Sequence, residues 1–171
     1  MKRIPLAVPA VLVGVVALVV IGGATAKKPA LSATPVFKQL LKPSQEVPPI
    51  KGLRADAVGS VTFDLTRSSG GAITSGEVIF YFNYKFPASV NITGLHIHQG
   101  AKGTNGGIVV DSGVGAFTDS DGEGNVTTVV AGTPATLQAI LDNPRGYYVN
   151  LHTSVNPGGA LREQMHNPKK R

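Results

Sequence analysis

Apolar and polar side chains alternate along much of this chain, and the alternation has a period of two. Val61, Phe63 and Leu65 alternate with Thr62, Asp64 and Thr66, the pattern of a strand with one face buried and the other wet. Residues 77–84 and 90–98, rich in Val, Ile, Phe and Tyr, predict two more strands, and residues 108–110 and 126–130 predict shorter ones. Turn formers separate them, most densely in Asp119-Ser120-Asp121-Gly122-Glu123-Gly124, where Asp side chains can bond nearby backbone and Gly takes positive φ. One stretch changes period. Thr133 suits a helix cap, Pro134 its first turn, and Leu137, Ile140 and Leu141 share a face before Asn143-Pro144 stops it. Strands resume over residues 147–153 and 160–165. Short strands spaced by turns, with a single helix, predict an all-β sandwich or barrel, and no repeat of solenoid or propeller length appears.

The most apolar stretch does not alternate. After Met1-Lys2-Arg3, residues 4–21 carry no charge, and Ala24-Thr25-Ala26 offers the small side chains that a signal peptidase admits. Residues 1–26 therefore read as a secretory signal. An uncleaved membrane anchor is the alternative, since the run approaches the roughly 20 apolar residues that span a bilayer. Residues 27–35 read as a Pro/Ala/Ser linker, 36–166 as the folded domain and 167–171 as a basic tail. The expected location is secreted or cell-surface, with membrane contact only if the N-terminal segment stays attached.

This division changes the charge picture. The chain of 171 residues has 16 Lys+Arg and 10 Asp+Glu, a formal charge of +6. Seven of the cations lie in segments 1–28 and 169–171, so the body between them holds nine basic against ten acidic residues. A nucleic-acid binder needs cations clustered on a folded face to displace counterions. The near-neutral body, with no run of such residues, argues against that class.

The chain has no Cys, which excludes disulfides, thiol catalysis and every zinc or iron–sulfur site built on thiolate. Any metal must be held by His, carboxylate or carbonyl. In Gly94-Leu95-His96-Ile97-His98 a strand sends Leu95 and Ile97 to the core and both imidazoles to the other face. Over residues 147–153 the same logic puts Tyr147, Val149 and Leu151 on one face and Tyr148, Asn150 and His152 on the opposite one. If the two strands are neighbours, His96, His98 and His152 make a three-nitrogen site suited to copper, with zinc second. The structural alternative is that His96 and His98 clamp the Gly-rich connection 100–107. His166, near the chain's end, reads as a surface residue. The Asp119, Asp121, Glu123 series starts like a calcium loop, but Val130 stands where a bidentate Glu is required, so it reads as a solvated hairpin turn. No nucleophile elbow, phosphate-cradling loop with Lys or carboxylate pair points to a hydrolase.

Several segments carry a family resemblance: Ser44-Gln45-Glu46-Val47-Pro48-Pro49, Gly94-Leu95-His96-Ile97-His98-Gln99-Gly100-Ala101, Asn105-Gly106-Gly107-Ile108-Val109-Val110, Tyr148-Val149-Asn150-Leu151-His152-Thr153 and Asn156-Pro157-Gly158-Gly159-Ala160-Leu161-Arg162-Glu163-Gln164. In that order they resemble the signatures of the CHRD domain, a module that recurs in the animal protein chordin and stands alone in exported bacterial proteins. The resemblance runs from about residue 36 to about residue 165. It implies a secreted, Greek-key antiparallel β-sandwich, superoxide-dismutase-like or immunoglobulin-like, with one short helix. In chordin the Cys-rich modules are the ones associated with growth-factor binding, and a chain without Cys does not inherit that role.

A second resemblance is to the copper-ligand order of Cu/Zn superoxide dismutases: Gly-x-His-x-His, a later strand His, and a Gly-Gly turn before an Arg-bearing strand. It implies His96, His98 and His152 as copper ligands and Arg162 as an anion-guiding residue. The zinc-binding loop, the bridging His and the disulfide of that family are missing, so at most a mononuclear copper site is implied. From the residues themselves, Arg162 reads equally as a structural ion-pair partner of Glu46 or Asp111. Asn150 and Asn156 read as loop ties, Pro48-Pro49 as the stiffener of an extended segment and Gly158-Gly159 as a tight turn. The expectation is an exported binding or structural module without catalytic residues, its partner an unknown extracellular protein or surface ligand. The competing class is a copper-dependent oxidoreductase.

Overall fold

The period-two segments pair into two antiparallel sheets. The computed structural model describes residues 34–168; the expected signal at 1–26, most of the linker and the end of the basic tail lie outside the described residues. One sheet has the order β1-β2-β3-β7, formed by β1 (Val36–Leu41), β2 (Asp56–Arg67), β3 (Ile73–Lys85) and β7 (Glu123–Ala131). The other has the order β5-β4-β8-β9, with β6 also against β4; its strands are β4 (Val90–Gln99), β5 (Ile108–Asp111), β6 (Phe117–Asp119), β8 (Tyr147–Thr153) and β9 (Leu161–Gln164). After β3 the chain leaves the first sheet, builds β4 to β6 in the second, and returns to lay β7 beside β3. That crossing makes a Greek-key sandwich. The turn at residues 119–124 consequently joins two sheets and is not the hairpin its sequence predicts. Asp119 Oδ1 nonetheless accepts the amides of Asp121 and Gly122, as Asp does in turns.

The inner faces close on one apolar core. Phe37, Val61, Phe63, Phe80 and Phe82 from the first sheet meet Ile92, Leu95, Ile97, Val149 and Leu151 from the second, all of them buried. The Phe37 and Phe63 rings lie 5.2 Å apart at 58°, a tilted pair of the kind aromatic quadrupoles favour. Each such side chain contributes about 1.5–3 kcal/mol by leaving water.

The helix α1 (Pro134–Asp142) forms where expected, with Thr133 Oγ1 accepting the Thr136 amide at 3.2 Å. Its Leu137 fills a notch between Gly76 and Gly132, two glycines joined by a 2.9 Å backbone bond. A Cβ on either glycine would stand 2.7 Å from a Leu137 methyl.

Two features of the second sheet are not visible in the alternation alone. Counting by two from the buried Ile92 would turn Gly94, His96 and His98 toward the core. A register shift between Ile92 and Gly94 resets the parity, as a β-bulge does, and Leu95 and Ile97 point inward instead. The outer face of this sheet is also covered. All seven residues of β8 are buried, although an antiparallel sandwich usually leaves such a face to solvent. The cover consists of the segment between β1 and β2, with a 3-10 turn at Pro43–Gln45 and a cis Val47–Pro48 bond, and the connection 100–107. Pro48-Pro49 thus belongs to a folded-over cover and not to a plain extended segment.

Replacing Leu137 by Ala leaves the glycine notch empty. Urea unfolding of L137A is expected to show a loss of about 2–5 kcal/mol, the range for large-to-small core changes, with an unchanged fold by circular dichroism.

Candidate metal centre

Strands β4 and β8 are adjacent, with Gly94 opposite His152, His96 opposite Asn150 and His98 opposite Tyr148. All three imidazoles therefore stand on the outer face of one sheet. Gly94 makes the room: a Cβ there would come within 2.7 Å of His96 Cε1, so the His96 ring lies where any other side chain would sit. Ring centroids are 4.8 Å apart for His96 and His152 and 5.4 Å for His98 and His152. One nitrogen from each ring falls within 4.8 Å of the others. His98 and His152 are buried; His96, half-buried, is the side from which solvent reaches the cluster.

The hydrogen bonds assign the tautomers. His98 Nδ1 lies 3.0 Å from the Gly106 carbonyl, and His152 Nδ1 lies 3.0 Å from the Pro157 carbonyl. A carbonyl only accepts, so both Nδ1 atoms carry hydrogen. Their Nε2 atoms face each other at 3.2 Å. In the neutral rings two lone pairs then point at one space. His96 has its Nε2 3.6 Å from Asp111 Oδ1, while its buried Nδ1 has no hydrogen-bond partner among the described residues. In each ring one nitrogen is engaged or approached by an oxygen and the other is free of such contact. Burial holds all three imidazoles below the ordinary histidine value, with the neighbouring His152 adding to the effect on His96. Neutral imidazole is the metal-ligating form.

These residues fit a metal ion. Ligating histidines typically give their second ring N–H to a carbonyl or carboxylate, as His98 and His152 do here. Two nitrogens held tetrahedrally at metal–nitrogen distances of about 2.0–2.1 Å stand about 3.3 Å apart, close to the 3.2 Å found. The loop-clamp alternative for His98 is realised at the same time, because Nδ1 ties down the 100–107 connection while Nε2 remains available. The Gly106 carbonyl lies in the connection that the clamp alternative names, whereas Asp111, paired with His96 across β4 and β5, and the Pro157 carbonyl at His152 are partners that the sequence pattern does not predict. The conspicuous Gly106-Gly107 and Pro157-Gly158 steps were the signals nearest to them.

Arg162 sits one ring away. It is 2% exposed, with Cζ 3.5 Å over the Tyr148 ring. Tyr148 stacks on His98 at 4.9 Å and 8°, so the phenol ring is held between imidazole and guanidinium. Arg162 Nη1 donates to Asn105 Oδ1 at 2.9 Å, and Nη2 donates to the carbonyls of Thr104 at 2.8 Å and Ala101 at 3.4 Å. Its hydrogen bonds thus go to uncharged oxygens, not to the Glu46 or Asp111 carboxylates that its ion-pair reading named. Glu46 instead accepts from Asn150 Nδ2 at 2.9 and 3.2 Å. Burial raises its pKa to about 7 against the opposing pull of Asn150 and Arg162. Asn150 ties the β1–β2 cover to β8, as expected of it. His166 is exposed beside Glu163.

The model of the CHRD domain family matches residues 37–165. No curated protein and no solved structure matches the chain.

Glu46 gives the cover a pH dependence. Its carboxyl is a stronger proton binder in the folded chain, with a pKa of about 7 against the ordinary 4.5. The stability linked to it is complete below the lower value and is lost as pH rises through the upper one. In urea titrations from about pH 5 to about pH 8, Glu46→Gln is expected to gain on the wild type as pH rises. A difference between the two proteins that stays flat across that range refutes the assignment.

Proposed function

The chain belongs to the CHRD domain family, and on that premise we propose that it is an exported β-sandwich binding module whose five-stranded sheet holds one metal ion on His96, His98 and His152. The apolar segment 4–21 and the small residues after it support export. The metal reading is carried by one observation: two buried Nε2 atoms face each other at 3.2 Å while both Nδ1 atoms are bonded to carbonyls. Converging lone pairs of this kind call for a cation between them. An all-nitrogen site without thiolate favours copper, which heads the affinity order for such donors, over zinc. Copper bound there would supply one-electron chemistry on the side opened by His96.

The protein's own residues do the positioning. Gly106 and Pro157 fix the rings of His98 and His152, Asp111 faces His96, and Tyr148 stacks on the His98 ring. We assign Arg162 to holding the 100–107 connection: its donors are spent on loop oxygens and its charge is buried. That assignment favours a binding module over an oxidoreductase.

Residues 27–171, freed of metal and titrated with Cu(II) and Zn(II), are expected to take up one ion, copper more tightly, with nitrogen hyperfine structure in the copper spectrum. Uptake no better than that of the His96→Ala, His98→Ala, His152→Ala triple variant sinks the metal reading. Superoxide turnover by the copper-loaded chain would replace the module by the oxidoreductase. Gly94→Ala displaces only the His96 ring; it is expected to weaken copper binding about tenfold or more, the scale of positioning changes around metals, without lowering the urea midpoint.

A further inference from the structure

At one end of the sandwich, between the β1–β2 segment and the β3–β4 turn, runs an open groove of about 960 Å³. It shares no residue with the histidine cluster. Four cations line it, Lys42, Lys51, Arg54 and Lys85, with Asp56 as the one acid. The body has only nine basic residues against ten acidic, so the fold gathers nearly half its cations here and keeps almost all its carboxylates away. Lys85 is paired with Glu123. Lys42, Lys51 and Arg54 are exposed and, among the described residues, lie beyond 4.0 Å from any carboxylate.

The groove is not simply a charged surface. Its lining includes Ile50, Leu53 and Phe86, and a second, smaller hollow of about 370 Å³ shares Leu53 and Phe86 and extends toward Val155, which is 84% exposed. Along the groove, after Gly52 turns the chain at φ +83°, Leu53, Arg54 and Ala55 make no backbone hydrogen bond among the described residues before β2 begins. A stretch of unpaired main chain beside an apolar floor is the geometry that accepts an added extended segment.

We propose that this groove docks an extended acidic peptide segment of a partner protein, its carboxylates on Lys42, Lys51 and Arg54, its alternate apolar side chains on Leu53 and Phe86, and its main chain paired along 53–55. Charge complementarity sets the sign of the partner. The apolar floor and the open main chain select a peptide, since a sulfated sugar or other polyanion would use the cations and leave both unused. This partner class rests on the binding-module reading and is independent of the metal.

The test uses the full chain in mild detergent and a fluorescent synthetic peptide alternating Glu with Val, followed by anisotropy. Expected are saturable binding that weakens as salt rises, a loss of about tenfold in Lys51→Glu/Arg54→Glu, and a comparable loss when the peptide backbone is N-methylated. The peptide is expected to bind equally to the metal-free and the copper-treated wild-type chain, which separates failure of this groove from failure of the metal site. No binding by the Glu/Val peptide, equal binding by a sulfated oligosaccharide or by a Lys/Val peptide, or indifference to the charge reversals or to N-methylation overturns the proposal.

Discussion

A guanidinium taken out of water must find acceptors inside the protein, and Arg162 finds them in a loop. Leaving a buried charge without partners costs several kcal/mol or more, so the oxygens of Ala101, Thr104 and Asn105 are drawn onto the outer face of the second sheet. The loop brings the Gly106 carbonyl to His98. Asn105 in turn donates to the Val47 carbonyl at 2.7 Å, which fastens the β1–β2 cover to the same loop. Tyr148, between Arg162 and His98, transmits the packing sideways. A residue that touches none of the free imidazole nitrogens thereby decides how one of the three rings is held.

The molecule has two interiors separated by one strand. Between the sheets lies an apolar core whose burial supplies most of the stability. Outside β8 lies a polar layer of Glu46, Tyr148, Asn150, His152, Arg162 and Gln164, each buried. A polar layer of this kind adds little net free energy, because desolvation offsets much of what its bonds return. It fixes geometry instead. Gly106 and Gly159 serve the layer directly. A Cβ at 106 would stand 1.6 Å from the Gln99 carbonyl oxygen, and one at 159 would stand 2.4 Å from Asn150 Oδ1.

Side-chain periodicity made much of this legible. The strand at Tyr147–Thr153, the capped helix after Thr133 and the outward histidines of β4 follow from period and cap chemistry, and they are where the structure has them. The strand β1 was hidden because Gln39, a polar residue, occupies one of its buried positions. The three-residue β6 was too short for a period to register. The bulge before Gly94 cannot be counted from the residues; the outward direction of the histidines was inferred from Leu95 and Ile97 alone. Burial of the outer face was also out of reach, because it depends on which distant loops fold over it, and no local pattern encodes that. The gathering of cations is partly of the same character: Lys42, Lys51 and Arg54 share the segment between β1 and β2, but Lys85, at the end of β3, joins them only in three dimensions.

His98 and His152 are 54 positions apart in the chain, and their nitrogens meet only through the pairing of β4 with β8. Contacts of that range form late, since a long loop must close before they repay its entropy. An unfolded chain therefore carries no chelating motif beyond His96-Ile97-His98, and the three-nitrogen cluster comes into being with the sandwich itself. On the proposed metal reading, the compartment in which the chain folds would choose among ions, because similar nitrogen sites are filled according to which metals are at hand as well as by affinity. On that reading the place of folding would be part of the selectivity of the site.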